Sequence, residues 1–413
     1  MAWTGASTIE GGVTIDLSVM KGLKVSPDKS MVSLEPGNRW SEVYSRLEPL
    51  GIAVSGGRWG NVGVGGLLTG GMMISIYYWY TYLFNSGGLS FFQGREGPAC
   101  DGVINHEVVL SDGSIVEANS RNNSDLHKAL KGGNNNFGIV TRFDLKAFPQ
   151  ENIWGGMILD TPLNDPTALD WFQTFTNSSE NFDPYGMVMF GAGPAFGYTV
   201  GGGLITYSKP EPKPPVFKKL YDSSLIAMTT ITTYTNIALM NGIGTPSGGR
   251  VEWASFSFKN SAAFMKVVIE LANAKSGGPP AFSSSISLIF QPLWHASRAK
   301  SFAATGGNSL GLEGTKDDLV IVLVSIASLI PSDDEVVDAK LKDFLAAITQ
   351  KAKEMGVYSP YIYANYAAGF QDVIGGYGEK SRAEMIATSK KYDPIQLFQK
   401  QVPGGFKLVP KTS

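Results

Sequence analysis

The chain has 413 residues, of which 43% are hydrophobic and 17% charged, with a net charge of −2. That length allows two domains with sizeable cores, the composition excludes a disordered chain, and the charge argues against an electrostatic nucleic-acid partner. A single cysteine, Cys100, excludes an internal disulfide. The apolar run Met72 to Phe84 is too short to cross about 30 Å of hydrocarbon as a helix. No basic-then-apolar leader stands at the start, so neither a membrane partner nor a particular compartment is indicated.

In chain order, residues 1–150 read as short strands and turns. Val13 to Leu17 and Met31 to Leu34 are strand-like, joined through a Ser26-Pro27-Asp28-Lys29 turn. Arg39 to Gly51 reads as a helix, with Trp40, Val43, Tyr44 and Leu47 on one face and Gly51 as its C-cap. Val108 to Val116 reads as a hairpin turning on Ser111-Asp112-Gly113. Asp125 to Lys131 is predicted as a short helix, N-capped by Ser124 and stopped by Gly132 and Gly133. The composition changes at 151. Strands are predicted at Met187 to Phe190, Gly203 to Tyr207, Val251 to Phe256, Ile286 to Gln291 and Leu319 to Ser325. Helices are predicted between them at Thr167 to Thr176, Ser261 to Ala274 and Ser332 to Met355, the last opened by a Ser332/Glu335 capping box. Strands in series with intervening helices imply an open sheet backed by helices. The proline-rich stretch Lys209 to Pro215 reads as a stiff surface connector.

The densest signal is VSGGRWGNVGVGGLLTGG, Val54 to Gly71, with eight glycines. Such a run packs little through side chains but brings bare backbone N–H groups close to a ligand. No Gly-Lys-Ser/Thr follows, so it is not a Walker loop. The glycines are too dense and too far spread for a Rossmann turn. Downstream come GREGPACDGV (Gly94 to Val103), EVVLSDGSIV (Glu107 to Val116) and DLHKALKGGNNNFGIVTR (Asp125 to Arg142). Together these resemble, from Trp3 to Phe406, the FAD-linked oxidases of the vanillyl-alcohol-oxidase type in their berberine-bridge-like branch.

The resemblance implies an α+β chain in three parts. Residues 1–150 form a partial PCMH-type FAD-binding domain. Residues 151–358 form a substrate domain with an antiparallel sheet backed by helices. Residues 359–413 form a tail that returns to the flavin. It implies FAD as cofactor, with Gly57, Gly60, Val62, Gly63, Gly65 and Gly66 at the pyrophosphate and ribityl chain. Gly138 and Val140 would clamp the adenine, Gly97 and Val103 would lie close by, and Asn365 would touch the flavin. No metal site is expected.

Flavin oxidation of an alcohol or amine needs a base for the O–H or N–H proton. The three histidines read as structural: His106 at a strand start, His127 in a surface helix, and His295 beside Trp294. Tyrosine is the better candidate, provided neighbouring charge or hydrogen bonds lower its pKa from about 10. In a strand, Tyr361, Tyr363 and Asn365 share one face and Tyr366 lies on the other. The resemblance assigns the base to Tyr366, with Tyr363 as the other candidate; the bland reading is a packed aromatic strand. Cys100 reads as a packing residue, while Trp59 stands where relatives with a second, cysteinyl flavin bond carry their cysteine. The histidine that usually bonds the flavin would precede Met1, so the flavin is expected to be non-covalent.

Two departures stand out. The chain opens where the family is already past its Arg-x-Gly-Gly-His segment, which reads as a truncated gene model or an alternative start. Met72 to Gly87 interrupts the glycine tract with an aromatic, nearly uncharged insert, which reads as a retained in-frame intron. The leading expectation is an FAD-dependent oxidoreductase acting on a small-molecule alcohol, amine or secondary-metabolite C–H bond, with O₂ as acceptor. The alternative is an inactive relic that binds no flavin.

Overall fold

The computed structural model describes residues 5, 7–69, 89–162, 166–178, 182–195, 198–241, 250–276, 285–328 and 334–409. The insert expected at 72–87 and the first residue of the expected Ser332 capping box lie outside them.

Two antiparallel sheets organise the chain. The first holds β1 (Leu23–Val25), β2 (Met31–Leu34), β3 (Ile52–Val54), β4 (Val103–Val109), β5 (Ile115–Asn119) and β6 (Ile139–Pro149). Its order is β1-β2-β6-β4-β5, with β3 also on β6. The eleven residues of β6 serve as its spine, pairing β2, β3 and β4 along their length. The β4–β5 hairpin turns where expected, with Gly113 at φ 82°. Only glycine adopts that conformation freely.

The second sheet holds β7 (Ile153–Pro162), β8 (Gly186–Ala195), β9 (Tyr198–Tyr207), β10 (Ile226–Thr232), β11 (Arg250–Lys259), β12 (Ile286–Leu293), β13 (Leu319–Ser328) and β14 (Tyr358–Ser359). Its order is β10-β7-β9-β8-β12-β13-β11-β14. Both faces of its central strands are buried, which is why β12 and β13 read as near-continuous apolar runs. One face packs on the helices Pro166–Phe175, Ala262–Lys275 and Asp334–Glu354 through Val188, Phe190, Phe256, Phe258, Leu288, Phe290 and Val322. The other face packs on the glycine-rich half through Met187, Met189, Trp253, Ile289, Ile321 and Leu323.

Three local expectations are corrected. Val13 to Leu17 forms no strand, and Val13 and Ile15 are exposed. The helix Ser124–Leu130 is capped by Asn123 in the left-handed conformation, without a side-chain cap bond; Ser124 is its first residue. The helix Trp40–Leu47 ends at Leu47 and tightens into a 3₁₀ turn over Glu48–Leu50, although Gly51 does close it at φ 70°.

After β14 the chain returns to the first half. Asn135 Nδ2 donates to Gly404 O at 3.1 Å and Asn136 Nδ2 to Phe406 O at 2.7 Å. Lys391 pairs with Asp125 at 2.6 Å. No described helix is long and apolar enough to cross a membrane.

Candidate functional site

The site is built where the glycine run, the inner face of the second sheet and the segment after β14 converge. Trp40 and Tyr44, on the buried stripe of the helix Trp40–Leu47, hold the glycine run in place. Tyr44 OH donates to Gly57 O at 2.7 Å, and a Cβ on Gly57 would stand 2.7 Å from Trp40 Cδ1 and 2.8 Å from Leu67 Cδ1. Such crowding leaves no room for any side chain but hydrogen. The run then delivers Arg58, 1% exposed, onto the sheet. Its Nη1 lies 3.3 Å from Met187 Sδ; its Nη2 donates to Gln291 Oε1 and stands 3.4 Å from Tyr366 OH. Tyr366 OH donates to the same Gln291 oxygen at 3.0 Å.

The tyrosine segment is not a strand. Tyr366 N–H bonds Tyr363 O at 3.0 Å, closing a turn over 363–366. This overturns the two-face expectation. The rings of Tyr363 and Tyr366 meet edge to face with centroids 4.9 Å apart, and the Trp253 ring lies 6.0 Å from Tyr366. Tyr363 is fixed by its backbone N–H to Ser255 Oγ at 2.9 Å and by Asn365 Nδ2 donating to its hydroxyl at 2.6 Å. Burial pushes the Tyr363 hydroxyl well above the ordinary tyrosine pKa, with Tyr366 adding to the rise. That disfavours Tyr363 as a base.

Beside this turn lies a small cavity of about 30 Å³. Leu67, Leu68, Leu293 and Leu310 line it together with Tyr361, Tyr363, Tyr377, Asn365 and Cys100. Asn365 is 3% exposed, and its Oδ1 has no hydrogen-bond partner among the described residues. A buried amide oxygen left without a donor costs about 1–3 kcal/mol, so it marks a place where a ligand N–H is wanted.

Of the residues singled out from sequence, Tyr363 and Asn365 line this cavity, and Tyr366 sits one ring behind its wall. The glycines answer first to the chain's own packing. A Cβ on Gly60 would meet Ser41 Cβ at 3.0 Å, on Gly65 Pro36 Cβ at 3.0 Å, and on Gly138 Val108 Cγ1 at 2.5 Å. Gly97 combines φ 78° with Ser301 Oγ at 2.2 Å from a built Cβ. Gly65 and Gly66 lie in the short helix Val64–Thr69, and Gly63 bridges to Arg39. Val62, Val103 and Val140 are buried in the first core. Trp59 is also in that core, while Cys100, half-buried, is the residue that reaches the cavity.

His127 is corrected: it is buried, not on a surface helix face, and its Nδ1 stands 3.0 Å from His106 Nδ1. Burial and the mutual charge hold His106 well below the usual imidazole pKa; burial with Lys131 nearby lowers His127 to about 3. Two neutral rings in a closed core are structural.

Sequence reasoning passed over Arg58, Gln291, Met187 and Trp253. Gln291 had a signal: it is a polar residue inside the fully buried strand β12. Arg58 had a weaker one, as the only charge in the run Val54 to Gly71.

The FAD binding domain family matches residues 1–84. The chain is 33% identical to an FAD-dependent monooxygenase of Aspergillus calidoustus over 98% of its own length and 75% of that protein's. Among solved structures it resembles 6-hydroxy-D-nicotine oxidase from Arthrobacter nicotinovorans, with a TM-score of 0.75 at 16% identity over 98% of this chain and 84% of that one. It also resembles the berberine-bridge-like protein 1 of Physcomitrella patens, at 0.74 and 16% over 95% and 81%. The chain belongs to the family of fungal FAD-dependent monooxygenases that carry this FAD binding domain, and it shares its fold with the berberine-bridge-like proteins. By family it is an FAD-linked oxidoreductase, and its curated relatives are fungal FAD-dependent monooxygenases.

Proposed function

We propose that the chain binds FAD non-covalently and oxidises an alcohol, an amine or an activated C–H bond of a small secondary metabolite, passing the electrons to O₂. One observation carries this reading: the leucine- and tyrosine-walled cavity with the unsatisfied Asn365 oxygen on its wall, one ring away from Tyr366. The chemistry of those walls suits a flat heteroaromatic ring that carries an N–H donor, and the small cavity would have to open to admit it. Leu67, Leu68, Leu293 and Leu310 would exclude water from its faces, and Asn365 would hold its polar edge. A flavin held there would supply the hydride-accepting chemistry. Tyr366 takes the substrate's O–H or N–H proton, and Gln291 and Arg58 hold the hydroxyl in position.

The non-covalent reading is supported by where one thiol and two imidazoles sit. Cys100 reaches the cavity, but burial and the adjacent Asp101 push its thiol up, so the reactive thiolate is disfavoured. His106 and His127 are packed against each other rather than at the cavity.

The test is direct. The purified chain should absorb near 450 nm, and acid precipitation should release all of the colour. Tyr366→Phe should cut the rate of flavin reduction by about 10²–10⁴-fold, the size of a lost general base, with little change in binding. Colour left in the pellet would remove the non-covalent reading, and an unchanged reduction rate would move the base elsewhere.

A second reading has its own support. The space a cofactor would find beside Gly57, Gly60 and Gly138 is filled by the chain's own Trp40, Leu67, Ser41 and Val108. A preparation that stays colourless after addition of FAD would establish a non-catalytic member of the family.

A further inference from the structure

The contact between Arg58 and Tyr366 joins residues 308 apart in sequence, and it lies in a site from which water is excluded. Gln291 Oε1 accepts from both the Arg58 guanidinium and the Tyr366 hydroxyl. That arrangement suits the neutral phenol: one acceptor serves two donors. Removing the phenolic proton turns Tyr366 from donor to acceptor, and the phenolate then needs donors of its own. Two are within reach. Arg58 Nη2 stands 3.4 Å away and is a permanent cation. Gln291 Nε2 is buried and has no hydrogen-bond partner among the described residues; turning the amide about its last torsion presents it where the oxygen was.

We propose that Arg58 is a positioning residue that stabilises the Tyr366 phenolate, with the Gln291 amide switching from acceptor to donor as the proton leaves and returns. This rests on the reading of Tyr366 as the base. In the cycle, the phenolate oxygen takes the substrate's O–H or N–H proton and becomes neutral again; Gln291 turns back to accept it, and the proton is passed on to solvent after turnover. A cation this close acts strongly because the surroundings are poorly polarisable. Among the described residues, Tyr363 on the same turn and Tyr44 on the helix Trp40–Leu47 are titratable groups that face the pair, and the uncharged Trp253 on β11 and Met187 on β8 also lie against it. Burial lowers the Arg58 pKa and the neighbouring tyrosines oppose that, so the guanidinium keeps its charge.

The experiment reads the phenol itself. Phenolate absorbance near 295 nm is titrated against pH, with and without FAD, in the parent chain and in Tyr366→Phe; their difference isolates Tyr366. The difference should show a tyrosine ionising below the ordinary value of about 10. Arg58→Met should move that ionisation up by at least one pH unit, a tenfold change in the phenolate fraction. Arg58→Lys should keep most of the shift, and the pH profile of kcat/KM should move by the same amount with KM little changed. Gln291→Glu is the second arm, since it keeps the shape and answers even where Arg58→Met does not fold. Its carboxylate neutralises Arg58 and faces the phenol, so the ionisation should again move up. A titration unmoved in Arg58→Met, or unmoved in Gln291→Glu, overturns the proposal. The base assignment fails separately: Tyr366→Phe would reduce flavin at the parent rate while the titrations still shift.

Discussion

Along β12, Ile286, Leu288 and Phe290 point to the helices, while Ser287, Ile289 and Gln291 point to the glycine-rich half. The same alternation runs through β11: Ala254, Phe256 and Phe258 lie against the helices, and Trp253, Ser255 and Ser257 lie on the other side. Both faces are equally dry, but their chemistry differs. The helix face is apolar and needs only good packing. The inner face carries buried polar atoms that still want partners, among them Gln291 Nε2, Trp253 Nε1 and Ser257 Oγ. A protein keeps such atoms at a cost of about 1–3 kcal/mol each when they go unmade. Their concentration on one face locates function there and stability on the other.

The largest effect should come from the helix face. Phe290→Ala should lower unfolding stability by about 3–5 kcal/mol in a denaturant melt. Its neighbour across the sheet in function, Tyr366→Phe, should lose no more than about 1.5 kcal/mol in the same melt while losing most of its chemistry. If the two variants melt alike, the division between the faces is wrong. Next comes Gly138→Ala. Its new methyl would press on Val108 Cγ1 and Val109 O, at 2.5 and 2.8 Å, so the FAD-free chain should lose about 1–3 kcal/mol. A loss seen only in the presence of FAD would reassign this glycine to the nucleotide.

A smaller effect sharpens the contrast through pH. His106 and His127 both have folded pKa values below the unfolded 6.5. The unfolded chain therefore binds protons that the folded chain refuses, so their contribution is complete above about pH 6.5 and is lost as the pH falls toward 3. The slope should be on the order of 1 kcal/mol per pH unit for each ring. Melting temperatures from pH 7 to 4 should fall less steeply in His127→Gln than in the parent; parallel curves would show that other groups govern acid unfolding. The smallest change should be Lys391→Ala at the exposed pair with Asp125, within the scatter of the same melt.

The sequence told more about the helix face than about the site. Patterns such as Ile286 to Gln291 and Leu319 to Ser325 are long and apolar, and the strands found there are longer than expected but in place. Strand β7 was missed because Gly155 and Gly156 interrupt it; in the sheet Gly156, at φ 150°, lets the backbone pass 2.0 Å (from a built Cβ) beside Met228 O. Strand β10 was missed because Ile226 to Thr232 alternates exposed and half-buried positions without a clear apolar face. The helix His295–Thr305 has too weak an apolar stripe to be read. At the site, the tyrosines were legible as a cluster but their geometry was not: a turn, and not a strand, brings Tyr363 and Tyr366 together. Arg58 and Gln291 meet across 233 residues, and no local pattern records such a meeting.

The return of the chain end to its first half has a consequence for how the protein is made. Asn136 waits for Phe406, 270 residues further on, and Arg58 waits for Tyr366. During synthesis both sheets leave the ribosome before either contact is available. The inner face of the second sheet, with its unpaired polar atoms, then stays open until translation is nearly complete. Contacts of such long separation form late and slowly. Released chains that end at Ser359 should therefore hold a formed helix face and an open inner one, the state in which a chaperone would find them.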